Sequence, residues 1–222
     1  MGKNRTTKMN FIFSANFHYK HFTTTKLAGN MKNRTERDSF FRSVDLNSGN
    51  LVLANQVHGN AIKIVKRCDK NTFIDSCDGL ITNDRNLLLG IFTADCIPIL
   101  VSCSDGEVKA AIHVGWKGLY LGIIENAIGI LINDFCISSK SLKVYIGPHI
   151  RSCCYRTGSE MENKFNIKLV NGKLDLSAIL CTKLESYGVN EIFDVNQCTC
   201  HNEQLFFSYR RDCCTDRLLS VI

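Results

Sequence analysis

The sequence predicts a single α+β domain built on a mixed β-sheet. Three observations predict it. Short apolar runs of strand length outnumber amphipathic helical stretches. The two kinds of segment do not alternate strictly, as a doubly wound fold would require. A chain of 222 residues, 45% hydrophobic and 22% charged, can bury one sizeable core.

Taken in order, residues 1–30 show no clear period; Phe11-Ile12-Phe13 reads as a short strand and Thr23-Thr24-Thr25 as loop. Lys32 to Val44 reads as an exposed, charged helix with Phe40 and Phe41 turned inward. Leu51–Val57 and Ala61–Val65 read as two strands around the His58-Gly59 turn, with Ile62 and Ile64 alternating. Leu87–Phe92, Ile97–Val101 and Val108–Val114 are further strands, separated by Thr93-Ala94-Asp95-Cys96 and by Ser104-Asp105-Gly106. Gly118 to Asn133 carries Leu119, Ile123, Ala127 and Ile130 on one helical face, with Leu131 beside them. Leu142–Ile146 is a buried strand closed by Gly147-Pro148. Asp175 caps a second amphipathic helix lined by Leu176, Ile179, Leu180 and Leu184. Ile192–Val195 and Leu205–Tyr209 read as the last strands. There is no internal repeat and no low-complexity linker.

Composition excludes several classes. The richest apolar segment, Leu119 to Phe135, is broken by Glu125, Asn126, Asn133 and Asp134, short of the ~18 residues of a membrane span. The basic N-terminus lacks the apolar run of a secretion signal. Residues 1–67 hold 12 Lys/Arg against 3 Asp/Glu, whereas residues 68–222 hold 15 against 18. Without aromatic-interleaved basic motifs, that asymmetry reads as a solvated basic face and predicts no nucleic-acid partner. Twelve cysteines without a signal sequence read as reduced residues in a cytoplasmic protein, with Cys103, Cys136 and Cys181 filling apolar packing positions.

The chemistry-bearing residues are His58, Cys96 and His113, each placed where an apolar run meets a Gly- or Pro-marked turn. Two imidazoles and one thiolate form the ligand set of a zinc ion that keeps a fourth position open. Convergence of these three in space would define a metal-dependent enzyme. Taken singly, each has a plain reading, as a hydrogen-bonded structural histidine or a buried small cysteine. The passage His113-Val114-Gly115-Trp116-Lys117-Gly118 couples a strand end to a helix start, and its amides with Lys117 offer an anion site. A glycine-rich turn anchored by Trp116 is the equal alternative.

Six motifs occur in the order seen in the YfiH family. They are Gln56-Val57-His58-Gly59, Asp78-Gly79-Leu80-Ile81-Thr82, Thr93-Ala94-Asp95-Cys96-Ile97-Pro98, His113-Val114-Gly115-Trp116-Lys117-Gly118, Gly147-Pro148 and Phe206-Phe207-Ser208-Tyr209-Arg210-Arg211-Asp212. The chain thus resembles that family over roughly residues 30–222. The family is also called multicopper polyphenol oxidase (laccase-like) or peptidoglycan editing factor, and includes purine nucleoside phosphorylases. The resemblance implies sandwiched mixed sheets flanked by helices, with a variable segment at residues 1–30 and a catalytic domain at 31–222. It implies zinc on His58, Cys96 and His113, and phosphorolysis of adenosine, inosine and methylthioadenosine, with adenosine deamination as a second reaction. Purine nucleoside and inorganic phosphate are the expected partners, with Lys117 and Arg210 or Arg211 as candidate phosphate groups. The chain departs from the family in Cys154-Tyr155-Arg156-Thr157-Gly158, where Arg156 replaces a carboxylate, and in lacking the family's opening motifs before residue 30.

Other readings stay in view. Asp95 is a candidate to orient a ligand imidazole, although alternation turns it away from Cys96. Asp78 reads equally as a turn residue. His149 reads as a surface residue. Cys198-Thr199-Cys200-His201 with Cys213-Cys214 suggests a second metal cluster, against which its C-x-C spacing counts. Arg210 and Arg211, on an expected strand, would point to opposite faces. Rival functions are a cysteine hydrolase of amide or peptidoglycan-derived substrates with Cys96 as nucleophile, a laccase-like copper oxidoreductase, and a binding protein that uses zinc for stability alone.

Overall fold

The structure, a computed structural model, describes residues 10–13, 17, 19–104 and 106–222. Its strands are β1 (Phe11–Ile12), β2 (Phe22–Thr24), β3 (Leu51–Asn55), β4 (Ile62–Ile64), β5 (Thr72–Asp75), β6 (Gly79–Thr82), β7 (Leu88–Thr93), β8 (Ile97–Cys103), β9 (Lys109–Val114), β10 (Leu142–Ile146), β11 (Glu191–Asp194) and β12 (Leu218–Val221). The helices are α1 (Arg34–Ser43), α2 (Trp116–Tyr120), α3 (Ile123–Asn133), α4 (Glu160–Phe165), α5 (Leu176–Ser186) and α6 (Tyr209–Asp212).

Two mixed six-stranded sheets stack face to face, in the orders β1-β2-β12-β7-β3-β5 and β11-β10-β8-β9-β6-β4. Side chains alternate across each strand, so one strand serves two layers. In β3, Val52 and Ala54 enter the core between the sheets, whereas Leu51 and Leu53 meet Phe40 and Phe41 of α1. In β8, Leu100 faces the other sheet, and Ile97, Ile99 and Val101 face α3 and α5. The molecule is therefore four layers deep, helix on sheet on sheet on helix. Burial on both faces explains why these strands read as unbroken apolar runs.

The elements expected at 32–44, 87–92, 97–101, 108–114, 142–146 and 192–195 are present, as α1, β7, β8, β9, β10 and β11. Asp175 caps α5 by accepting from Ala178 N at 3.0 Å. Other expectations need correction. The strands expected around the His58-Gly59 turn do not pair; β3 lies in one sheet and β4 in the other. The helix expected over 118–133 is two helices, because Gly122 adopts φ +87° and turns the chain between α2 and α3. Thr23 and Thr24 are strand, not loop; Thr23 Oγ1 pairs with Ser220 Oγ at 2.8 Å, and Thr24 Oγ1 accepts from Leu219 N at 2.9 Å. Leu205–Tyr209 is not a strand. Ser208 instead starts α6, its hydroxyl accepting from Arg211 N, and the last strand is β12.

Part of the 1–30 segment supplies β1 and β2 to the first sheet, while residues 1–9, 14–16 and 18 and Asp105 of the expected 104–106 turn lie outside the described residues. All twelve cysteines are free thiols; Cys103 is buried as expected, but Cys136 is exposed, at φ +56° beyond the end of α3. Among the described residues no helix is long and apolar enough to cross a membrane.

Candidate metal centre

The seam between the two sheets gathers the candidate residues. His58 lies on the crossing from β3 to β4 and Cys96 on the crossing from β7 to β8, both passing from one sheet to the other. His113 is the penultimate residue of β9 and faces Pro98 of β8 across the ladder. One donor atom from each of His58, Cys96 and His113 lies within 4.8 Å of the other two. The two imidazole rings stand edge to face, 4.8 Å apart at 88°. His113 is buried, Cys96 half-buried and His58 exposed, so the group opens on one side.

Asp78, fully buried between β5 and β6, organises both histidines. Its Oδ1 accepts from His58 N at 2.9 Å and from His113 Nδ1 at 2.8 Å; its Oδ2 accepts from Val57 N at 3.2 Å and Gly59 N at 2.7 Å. The turn thus wraps its amides around a carboxylate while His58 holds φ +58°. Burial pushes the Asp78 carboxyl up, but its bonds from His113, Gly59 and Val57 outweigh this and hold it below the usual value. With Nδ1 donating to Asp78, His113 turns Nε2 to the centre.

The neighbouring glycines fit the donors closely. A Cβ on Gly115 would stand 3.3 Å from Cys96 Sγ and 3.5 Å from His58 Cδ2, and one on Gly118 would stand 2.7 Å from the carbonyl oxygen of Gly59. These two glycines let α2 press against the His58 turn. Burial pushes the Cys96 thiol up, yet the His113 and His58 rings bring it down to about 6. Burial pulls His113 down, whereas the Cys96 thiolate and Asp78 push it up to about 9. The site favours a positive charge among its donors, which a proton or a metal ion can supply. A thiolate and two imidazoles suit a borderline-soft divalent ion, so the residues fit the metal that the motifs imply.

The donors open into a cavity of about 590 Å³. Its wall presents the rings of Phe73, Phe92, Trp116, Tyr155 and Tyr209, and the cations Lys32, Arg210 and Arg217. Phe73 and Phe92 stack at 6.4 Å and 22°. The Arg210 guanidinium lies 5.2 Å over the Tyr155 ring and donates to Arg156 O at 2.8 Å. Asp95 is the one carboxylate among the described lining residues. Thr93 Oγ1, on the same wall, is buried without a hydrogen-bond partner among the described residues.

Several expected roles change hands. Asp95 does not orient an imidazole: it accepts from Thr199 Oγ1 at 2.6 Å, Ser208 Oγ at 3.0 Å and Arg210 N at 2.7 Å, while Asp78 orients His113. Lys117 is exposed on α2 and does not line the cavity. Arg210 and Arg211 sit on a helical turn, where Arg210 lines the cavity and Arg211 binds the carbonyls of Thr199, Cys200 and Phe206. His149 is fully buried, not on the surface, its Nδ1 bonded to Gly147 O at 2.8 Å. Arg156 is exposed and outside the cavity lining. Among the described residues Cys213 and Cys214 join no metal-ligating group; His201 instead meets Cys153 and Cys154. Sequence reasoning missed Lys32 and Arg217, for which no local motif gives a signal, and gave no role to Thr93 although it opens the Thr93–Pro98 motif.

Two stacked mixed sheets, with a His/Cys/His donor group at their seam and a ring-lined cavity, define an α+β protein with a candidate metal centre. The chain belongs to the family whose model is described as multi-copper polyphenol oxidoreductase laccase, which it matches over residues 20–222. It is 33% identical over 214 residues to a purine nucleoside phosphorylase of Clostridium acetobutylicum, covering 92% of this chain and 87% of that protein. A purine nucleoside phosphorylase of Rickettsia conorii is 31% identical over 82% of this chain and 77% of its own length. The fold matches the crystal structure of YlmD from Geobacillus stearothermophilus with a TM-score of 0.85, at 26% identity and 90% coverage of both chains. It also matches Bacillus licheniformis YfiH at a TM-score of 0.84 and 25% identity, over 90% of this chain and 91% of that one.

Proposed function

We propose that the chain is a zinc-dependent purine nucleoside phosphorylase. It would convert adenosine, inosine and methylthioadenosine with phosphate to the free base and the corresponding ribose 1-phosphate, with adenosine deamination as a side reaction. One observation carries the reading: the His58, Cys96 and His113 donors line the same cavity as stacked aromatic rings and three cations. The names of the Clostridium and Rickettsia relatives point the same way.

In this reading His58, Cys96 and His113 hold the zinc, which when bound supplies a Lewis acid with an open coordination position. Asp78 fixes the His113 tautomer and the His58 turn. Arg210, braced by Tyr155 and the Arg156 carbonyl, binds phosphate, and Lys32 and Arg217 add positive charge. Phosphorolysis develops cationic character on the sugar, so an anion fixed beside C1′ lowers the barrier by positioning and by charge. The ring faces of Phe73, Phe92 and Trp116 suit a purine, and the unpartnered Thr93 hydroxyl suits a sugar hydroxyl. Deamination also needs a proton carrier. Asp95, with both oxygens engaged, is poorly placed to serve, so deamination is expected to be the slower reaction.

Incubation with adenosine and phosphate is expected to release adenine and ribose 1-phosphate in equal amounts. No phosphate-dependent base release from any purine nucleoside would refute the proposal. The pairing of a thiolate-favouring Cys96 with His113 keeps a cysteine hydrolase as the second reading. Metal-stripped protein that remains active and is inactivated by alkylation at Cys96 would establish it. Copper ranks below zinc, since one three-donor centre falls short of the several sites of a multicopper oxidase.

A further inference from the structure

We propose that Cys153, Cys154, Cys198 and His201 form a second, structural zinc site that clips two loops together beside the cavity. The donor atoms of Cys153, Cys154 and His201 all lie within 4.8 Å of one another. The Cys153 and Cys154 sulfurs are 3.6 Å apart, close to the ~3.7 Å edge of a tetrahedron with ~2.3 Å Zn–S bonds. The Cys198 sulfur interacts with both thiols from outside that 4.8 Å set and would complete it by closing on the ion. Cys198 further accepts the backbone N–H of Arg151 at 3.5 Å. Amides aimed at a sulfur stabilise the thiolate that a metal requires. The spacing also differs from the one the sequence suggests. The local pair is Cys198-x-x-His201, within the range of structural sites, and its partner is the adjacent pair Cys153-Cys154.

Three of the four donors are gathered before any metal arrives, and a backbone bridge holds the fourth beside them. His149 pairs with Cys198 in a parallel bridge, with His149 N donating to Gln197 O at 3.2 Å and Thr199 N to His149 O at 3.0 Å. Cys198 is buried, Cys154 half-buried, and Cys153 and His201 exposed, which gives an ion a path from solvent. A Cys153–Cys154 disulfide fits poorly, because adjacent Cα atoms stand ~3.8 Å apart across a trans peptide and disulfides want ~4.4 Å or more. The two loops hold cavity groups: Tyr155 follows Cys154, and Thr199 binds Asp95 and receives Arg211. With four protein donors the site is closed and its role is structural, unlike the open three-donor centre.

Metal analysis of the full chain, purified under reducing conditions with zinc, tests this. About two zinc per chain are expected in the wild type and about one in Cys154→Ser and in His201→Ala. His113→Ala, which lacks the first centre, is expected to keep one; with cobalt it should show the intense thiolate charge-transfer band of a three-sulfur site. Peptide mapping of the wild type after alkylation guards against misfolded variants: zinc should protect Cys153, Cys154 and Cys198 and leave Cys68 reactive. Equal labelling of those three with and without zinc would overturn the proposal. So would a disulfide joining any two of them in the purified protein, or an unchanged zinc content in Cys154→Ser.

Discussion

Replacing Asp78 by asparagine tests the centre at the residue on which both histidines depend. The two carboxylate oxygens accept from four donors, two on each side. An amide keeps one oxygen and turns its NH₂ on the other pair, so two donors lose their acceptor in either orientation. The cheaper orientation keeps His113 and His58 N on the oxygen and faces the NH₂ toward Val57 and Gly59. Each orphaned donor costs ~1–3 kcal/mol. Water reaches part of that turn, so the lower half of the sum applies, and Asp78→Asn is expected to lose about 2–4 kcal/mol. Urea unfolding of the metal-free protein reads this directly. The loosened His58 turn should also weaken zinc binding about 10–100-fold, read by competition with a chelator. A variant within about 0.5 kcal/mol of wild type, with unchanged zinc affinity, would refute the role given to Asp78.

Gly118→Ala places a Cβ 2.7 Å from the Gly59 carbonyl, so α2 and the His58 turn must part; zinc affinity should fall while the urea transition stays cooperative. Arg210→Ala should raise the phosphate KM about tenfold, as expected for a lost charged hydrogen bond of ~1.4 kcal/mol, whereas Lys117→Ala should leave it unchanged in the same initial-rate assay. Asp175→Ala removes the α5 cap and should cost about 1 kcal/mol in urea unfolding. Burial pushes the Asp175 carboxyl up, but Ala178 N and Ser177 hold it below its ordinary value. Its contribution is therefore present above the ordinary aspartate range and lost as pH falls through the depressed value, so the variant's stability should be flatter with pH on the acid side.

The fold was legible wherever a period was clean. Leu142–Ile146 stands out as an apolar run because both its faces are buried, and the Asp175-capped helix because its cap and its apolar face agree. The sheet made by β2 and β12 was not, because Thr23 and Thr24 read as polar while their hydroxyls are satisfied inside the sheet by Ser220 and Leu219, some 195 residues away in sequence. The donors His58, Cys96 and His113 were legible through motif order, since no spacing rule links three residues so far apart. The carboxylate behind them was ambiguous. Asp95, beside Cys96 in sequence, is drawn away by Thr199 and Ser208, and Asp78 takes the place through contacts that exist only after the sheets stack. Lys32 and Arg217 enter the cavity from opposite ends of the chain, so nothing local marks them.

The placement of the centre follows from the stacking itself. A chain that must leave one sheet and enter the other passes over the open seam, and β3–β4 and β7–β8 both do so at the same end. Such crossings lack ladder partners, so their backbone groups need other acceptors; Asp78 supplies these for residues 57–59. His58 and Asp95 accept positive φ there, at +58° and +93°, conformations that cost energy in non-glycine residues. The visible return of that strain is that the His58 ring and the neighbouring Cys96 are aimed at one point with His113. A metal shared by the two crossings and β9 would tie the sheets together where no hydrogen-bond ladder does, so binding and folding stability must be linked. Zinc should therefore raise the unfolding midpoint of the wild type by more than that of Cys96→Ser, the difference being the share that this centre contributes.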